Sequence, residues 1–243
     1  MTNAMVLCLT FSLKYSASFL EGRLDGHNAL YLDETRAYAT ADNITLGPSF
    51  TIACWIELVP SHPHLRGIVQ NDLQIPGFIF GVNTNNQLQL TYWVSNASYI
   101  YTAGKVVERQ WVHVAVSFVR NTELFFFING FKISPTGNSS YPWDNTTGLL
   151  EIGRSFDPDQ NKHFYFHGYL SDLFIFGRSL GAEDIGKLMG TDKCPRHLLL
   201  LSFLFVCFYT CSPSSKYGHR GTSALLRNIR NIRICMEKNL SFL

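Results

Sequence analysis

No two cysteines in this sequence are spaced C-x-x-C, and none of the six (Cys8, Cys54, Cys194, Cys207, Cys211, Cys235) follows a metal-finger pattern. A G-x-S-x-G nucleophile elbow is also absent, so nothing marks a serine nucleophile of that type. No internal repeat is visible, and no linker divides residues 20 to 190. There is no basic stripe. Seven of the 20 Lys/Arg and one of the 18 Asp/Glu fall from residue 196 onward, leaving 13 basic and 17 acidic residues before it. The body is therefore mildly acidic and the tail basic, which excludes a nucleic-acid binder. Helical periodicity is nearly missing: only Ala182 to Met189 reads as a helix, a short one closed by Gly190.

What is present is strand. In "QWVHVAVSFVRNTELFFFINGFKI" (Gln110 to Ile133), Val112, Val114, Val116 and Phe118 alternate onto one face, with Trp111, His113, Ala115 and Ser117 on the other. Arg120-Asn121-Thr122 reads as a turn, and Asn129-Gly130 supplies two residues that tolerate positive φ, a strong hairpin signal. "ALYLDETRAYAT" reads as two strands around Asp33 to Arg36, and "SFTIACWIEL" as one with Phe50, Ile52, Cys54 and Ile56 on one face. "GFIFGVNTNNQLQLTYWV" is a hairpin turning at Asn83 to Asn86, and "GLLEIGRS" and "FYFHGYLSDLFIFGRSL" are the last strands. Strands every ten residues or so, with turn signals between them, predict an all-β antiparallel sandwich. At 46% hydrophobic and 14% aromatic, the composition excludes wholesale disorder.

In order, these segments resemble the laminin G-like domain of the concanavalin A-like lectin/glucanase superfamily, to which the pentraxins are related. The resemblance covers residues 25 to 190 and carries the quoted "QWVHVAVSF", "LFFFINGFKI", "LLEIGRS" and "FHGYLSDLFIFGRSLGAEDI". It implies a two-sheet jelly roll over residues 25–195 used extracellularly to bind glycan or protein partners, without catalysis. It also implies a calcium option, with Asp33 and Asp172 as the matching carboxylates, and hence a calcium-dependent, pentraxin-like lectin as the alternative. A glycoside hydrolase of the same fold is a further alternative. The family's catalytic strand resembles E-x-D-x-x-E, which this sequence lacks, so an enzyme would need distant carboxylates such as Glu57 and Glu151 to converge.

A glycan site needs an aromatic platform flanked by amides and hydroxyls. "NQLQLTYWVSNASYIYT" offers Gln89, Thr91 and Trp93 on one face, with Tyr99 and Tyr101 expected across from Trp93 and Trp143 overhanging from "SYPWDN". On this reading Trp111 to Ile133 is scaffold. His113 is expected to pack beside Trp111. His163 and His167, read as one strand, stand roughly 13 Å apart and too far to share a metal, while His62 and His64 have no evident third ligand. Sequons at Asn43, Asn96, Asn138 and Asn145 point to a secreted glycoprotein. Cys54 is expected to be a buried free thiol, and a closed sandwich could bring Cys8 near Cys194 for a disulfide. Residues 1–24 form a lead-in whose apolar run is a poor signal peptide. The tail, 196–243, contains an uncharged apolar run of fourteen residues from Leu198 to Cys211. It is read either as a short membrane segment or as an unfolded tail, since spanning takes about 20 residues.

Overall fold

The computed structural model describes residues 4–8, 11–24, 28–60, 63–71, 77–95, 97–137, 140–157, 160–190 and 234–239. Its strands are β1 (Ala4–Cys8), β2 (Phe11–Lys14), β3 (Ser18–Glu21), β4 (Asn28–Asp33), β5 (Tyr38–Leu46) and β6 (Ser49–Leu58). They continue with β7 (Arg66–Asn71), β8 (Phe78–Val82), β9 (Leu88–Val94), β10 (Ala97–Ala103), β11 (Trp111–Val119) and β12 (Glu123–Ile128). The remainder are β13 (Phe131–Ile133), β14 (Thr146–Ile152), β15 (Arg154–Asp157), β16 (Lys162–Tyr165), β17 (His167–Phe176), helix α1 (Ala182–Met189) and β18 (Ile234–Asn239).

β15 and β16 pair as a separate two-stranded sheet, and the other sixteen strands form a sandwich of two sheets. One has nine strands, in the order β1-β18-β17-β6-β11-β12-β13, with β4 and then β3 also joined to β17; the other has seven, β10-β9-β8-β7-β14-β5-β2. All pairings are antiparallel except β17 with β18. β2 and β3, both inside the expected lead-in, pair with β5 and β4 respectively. At the far side, Thr102 and Thr136 bridge the two sheets' edges through both backbones and through their hydroxyls, 2.8 Å apart.

Alternation dictates the core. Phe50, Ile52, Cys54, Ile56 and Leu58 of β6 and Val112, Val114, Val116 and Phe118 of β11 point inward, meeting Phe78, Phe80, Leu88, Leu90 and Tyr92 from the seven-stranded sheet. Cys54 is the buried free thiol expected, its pKa pushed far up by burial. In β17 the phase switches. Leu170 faces the core, and a bulge between Ser171 and Phe174, with Asp172 at φ 50°, turns Leu173 and Ile175 inward instead. Phe174 and Phe176 are thereby aimed outward, where they join Ala53, Ala115 and Phe127 beneath Leu180, Ile185 and Leu188 of the helical segment. Alanines at 53 and 115 leave room for a helix on that face. Its lead-in is pinned by the Leu180 N–H, which donates to Thr51 Oγ1 (2.9 Å) and Ser117 Oγ (3.1 Å).

Among the described residues no helix is long and apolar enough to cross a membrane. The run 198–211, Cys194, Asn96, Asn138, His62, Pro158 and Asp159 all lie outside the described residues.

Candidate recognition faces

The face expected to carry a glycan platform exists only in part. Leu88, Leu90 and Tyr92 face the core, so Gln89, Thr91 and Trp93 line the outside of β9, with Trp93 partly exposed and Gln89 Nε2 donating to Thr91 Oγ1 at 2.9 Å. Directly opposite residues of an antiparallel pair share a face. Ser98 lies opposite Trp93, Ile100 opposite Thr91 and Thr102 opposite Gln89; these complete the outer row, and Ile100 is 55% exposed.

Tyr99 and Tyr101 do not flank Trp93. Their partners are Tyr92 and Leu90, which puts them on the core side. Tyr99 stacks on Tyr92 with centroids 5.4 Å apart, and Tyr101 is 1% exposed with its hydroxyl donating to the Ser140 carbonyl. Trp143 does not overhang the sheet either. It is 2% exposed and plugs the sandwich centre, its ring 4.7 Å from Phe50, 5.0 Å from Tyr92 and 5.1 Å from Phe118, with Nε1 donating to the Leu46 carbonyl at 3.4 Å. Local composition suggested a loop aromatic; the space between these three rings from both sheets decides otherwise.

The outer face of the nine-stranded sheet holds three zones. One lies under α1. Beside it, Ser171, Trp55 and His113 are consecutive cross-strand neighbours, and the Arg23 guanidinium lies 4.2 Å over the Trp55 ring and 3.9 Å from Asp172. His113 packs edge-on against Trp55 (5.3 Å), not beside Trp111 as expected, because side chains meet across strands rather than along them. Burial, with Arg23 adding to it, holds the imidazole at a pKa of about 4.

The third zone was not foreseen. Registers place Tyr31, Tyr169, Glu57 and Trp111 side by side on β4, β17, β6 and β11. All four are partly exposed. Tyr31 and Tyr169 are 4.9 Å apart between centroids, and Trp111 and Tyr169 6.1 Å. Gly168 (φ 142°) precedes Tyr169 where a Cβ would strike the Glu57 carbonyl. Alternation alone puts Glu57 and Trp111 outside, but contacts between residues as distant as 31 and 169 leave no local signal.

The carboxylates are scattered. Glu57 projects from the nine-stranded sheet and Glu151 from the seven-stranded one, each flanked by core residues, so they lie on opposite outer faces and do not converge. Sheets pack about 10 Å apart, and the side chains point away from each other. Glu151, 3% exposed, is bound by Gln70 Nε2 (2.6 Å) and by the Arg154 guanidinium, which itself lies 4.0 Å over Tyr38.

The calcium carboxylates also fail to meet. Asp33 pairs across from His167, and Asp172 lies five residues further along β17, roughly 16 Å away, too far to ligate one ion. Burial tends to raise the Asp33 carboxyl, but hydrogen bonds from Ser16 and Thr35 outweigh it and hold the pKa low. Among the described residues no three His, Cys, Asp or Glu gather as a metal cluster. His163 and His167 occupy separate strands, β16 and β17, and His64 stacks on Phe164 at 3.8 Å. Asn43 and Asn145 are exposed. In β1, Cys8 stands in register with Cys235 of β18.

The family model described as the concanavalin A-like lectin/glucanases superfamily, of laminin G type, matches residues 33–186. No curated protein matches the sequence. Among solved structures, the binding domain of Paraclostridial Mosquitocidal Protein 1 superposes with a TM-score of 0.56 at 12% identity, covering 74% of this chain and 47% of that one. Trypanosoma rangeli sialidase in complex with the inhibitor DANA gives 0.53 at 13%, over 74% of this chain and 29% of the sialidase. Domain 4 of AbnA, a GH43 extracellular arabinanase from Geobacillus stearothermophilus, in complex with arabinotriose, gives 0.50 at 14%, over 74% and 87%. At such identities the likeness is one of fold, and the chain spans about half or less of the first two.

Proposed function

The chain belongs to the laminin G-type family of the concanavalin A-like lectin/glucanases superfamily, and from that premise we propose that it is a non-catalytic recognition module, working outside the cell, that binds glycan. The observation that carries this reading is Trp93, partly exposed on an outer sheet face, opposite Ser98 and in the same outward row as the Gln89 amide. A ring open on one side offers the apolar face of a sugar a stacking surface, and the Ser98 hydroxyl and Gln89 amide offer its hydroxyl groups hydrogen bonds. A domain of the same fold in complex with arabinotriose supports a glycan as ligand. The four sequons support an extracellular setting.

The separation of Glu57 from Glu151 speaks against glycoside hydrolysis, which needs two carboxyls within about 5–10 Å of each other. The test is a glycan array on the secreted, glycosylated protein, with calcium and then with chelator. Retained binding under chelator, lost in Trp93→Ala, is the expected result. Binding abolished by chelator would establish the calcium-dependent lectin instead, and absence of any glycan ligand would leave a protein partner.

A further inference from the structure

Resting on the reading that this is a glycan-binding module, we propose a second carbohydrate site, on the opposite sheet, in the row Tyr31–Tyr169–Glu57–Trp111, which takes oligosaccharides without acidic groups and prefers those bearing a free amine. Three aromatic rings and one carboxylate occupy four adjacent strands, so the row runs about 14 Å, the span of three inter-strand steps. That length suits a short oligosaccharide lying across the strands. The neighbouring zones of the same face are filled, by α1 at one end and by Arg23 over Trp55 in the middle, while these four side chains keep part of their surface open to solvent.

Glu57 makes the row selective. Trp111 and Tyr169 are its cross-strand neighbours on either side, and among the described residues its carboxylate has neither an ion pair nor a hydrogen bond. A carboxylate between aromatic rings accepts hydrogen bonds from sugar hydroxyls and attracts an ammonium group, which the ring faces also favour. Asp33 and Glu34 add negative charge at the Tyr31 end, and burial together with these neighbours raises the Tyr31 phenol pKa. His167 lies beside Glu34 at 3.3 Å, and Arg23 is committed to Trp55 and Asp172. Sialylated or sulfated glycans would meet repulsion from Glu57, Asp33 and Glu34 there. Trp111 thereby acquires a role beyond scaffold.

Calorimetry at about pH 6 on the full glycosylated chain tests this, since carboxyls are then ionised and amines of ordinary basicity protonated. The probes are glucosamine trimer, its fully N-acetylated counterpart and a sialylated trisaccharide. Wild type is expected to bind the amino trimer about tenfold more tightly than the acetylated one. Glu57→Gln should abolish that preference without loss of fold, Trp111→Phe should weaken both neutral and amino probes, and Trp93→Ala should leave the preference intact. A preference that survives Glu57→Gln, or that vanishes with Trp93→Ala, overturns the second site while the glycan-binding reading stands. Failure of wild type to bind any glycan, here and on the array, overturns both. Far-UV circular dichroism and the unfolding midpoint of each variant separate lost binding from lost fold.

Discussion

Replacing Trp143 with alanine separates a core residue from a ligand contact. The ring is 2% exposed, packed against Phe50 and Phe118 of the nine-stranded sheet and Tyr92 of the seven-stranded one, and its N–H reaches the Leu46 carbonyl. Truncating a buried tryptophan costs about 3–5 kcal/mol, from lost transfer energy and the cavity left behind. Three aromatic contacts and an orphaned carbonyl push this site towards the upper end. A domain of this size loses roughly 2–4 °C of Tm per kcal/mol, so about 4 kcal/mol corresponds to a fall of roughly 8–16 °C. Urea unfolding followed by far-UV circular dichroism, with an unchanged m-value, gives the free energy directly. Glycan affinity of the variant that remains folded should equal that of wild type. A stability loss below about 1 kcal/mol, accompanied by lost glycan binding, would refute the burial argument and return Trp143 to the surface.

The remaining predictions concern the opposite sheet. His113, held at a pKa of about 4 against the ordinary 6.5, binds fewer protons folded than unfolded. Its contribution is present above about pH 6.5 and is lost as pH falls towards 4, so wild type should lose about 3 kcal/mol more than His113→Phe between pH 7 and 4, read from urea midpoints. Equal losses in the two proteins would show that the imidazole is not buried as neutral base. Ala115→Leu inserts bulk beneath α1, where Ala115 is fully buried with Ile185 and Leu188. It should cost about 1–3 kcal/mol, and an unchanged thermal midpoint would mean that α1 does not rest there.

Much of the architecture was legible locally. Period-two alternation in β6 and β11 and the turns at Asn129-Gly130 and Asn83 to Asn86 appear where the sequence put them, and α1 spans Ala182–Met189 as read. What escaped was anything set by register. The bulge at Asp172 inverts the face of every later residue in β17, and no composition signal announces it. Tyr99 and Tyr101 were assigned to the wrong face because the β9–β10 register sets Tyr99 opposite Tyr92 rather than Trp93. Glu57, Glu151, Asp33 and Asp172 could each be placed on a strand or its end from sequence. Which sheet, and which side of it, was settled by pairings over more than a hundred residues.

The sheet edges bear on how copies of the molecule behave when crowded. An open edge is a template on which another chain can add a strand. Among the described strands the edges are β1, β2, β3, β13, β15 and β16, of three to five residues, and β10, whose outer side is bridged at Thr102 by Thr136. Strand addition therefore finds little purchase, and molecules at high concentration meet by their faces. Self-association would then be governed by side chains that can be exchanged without touching the backbone ladders.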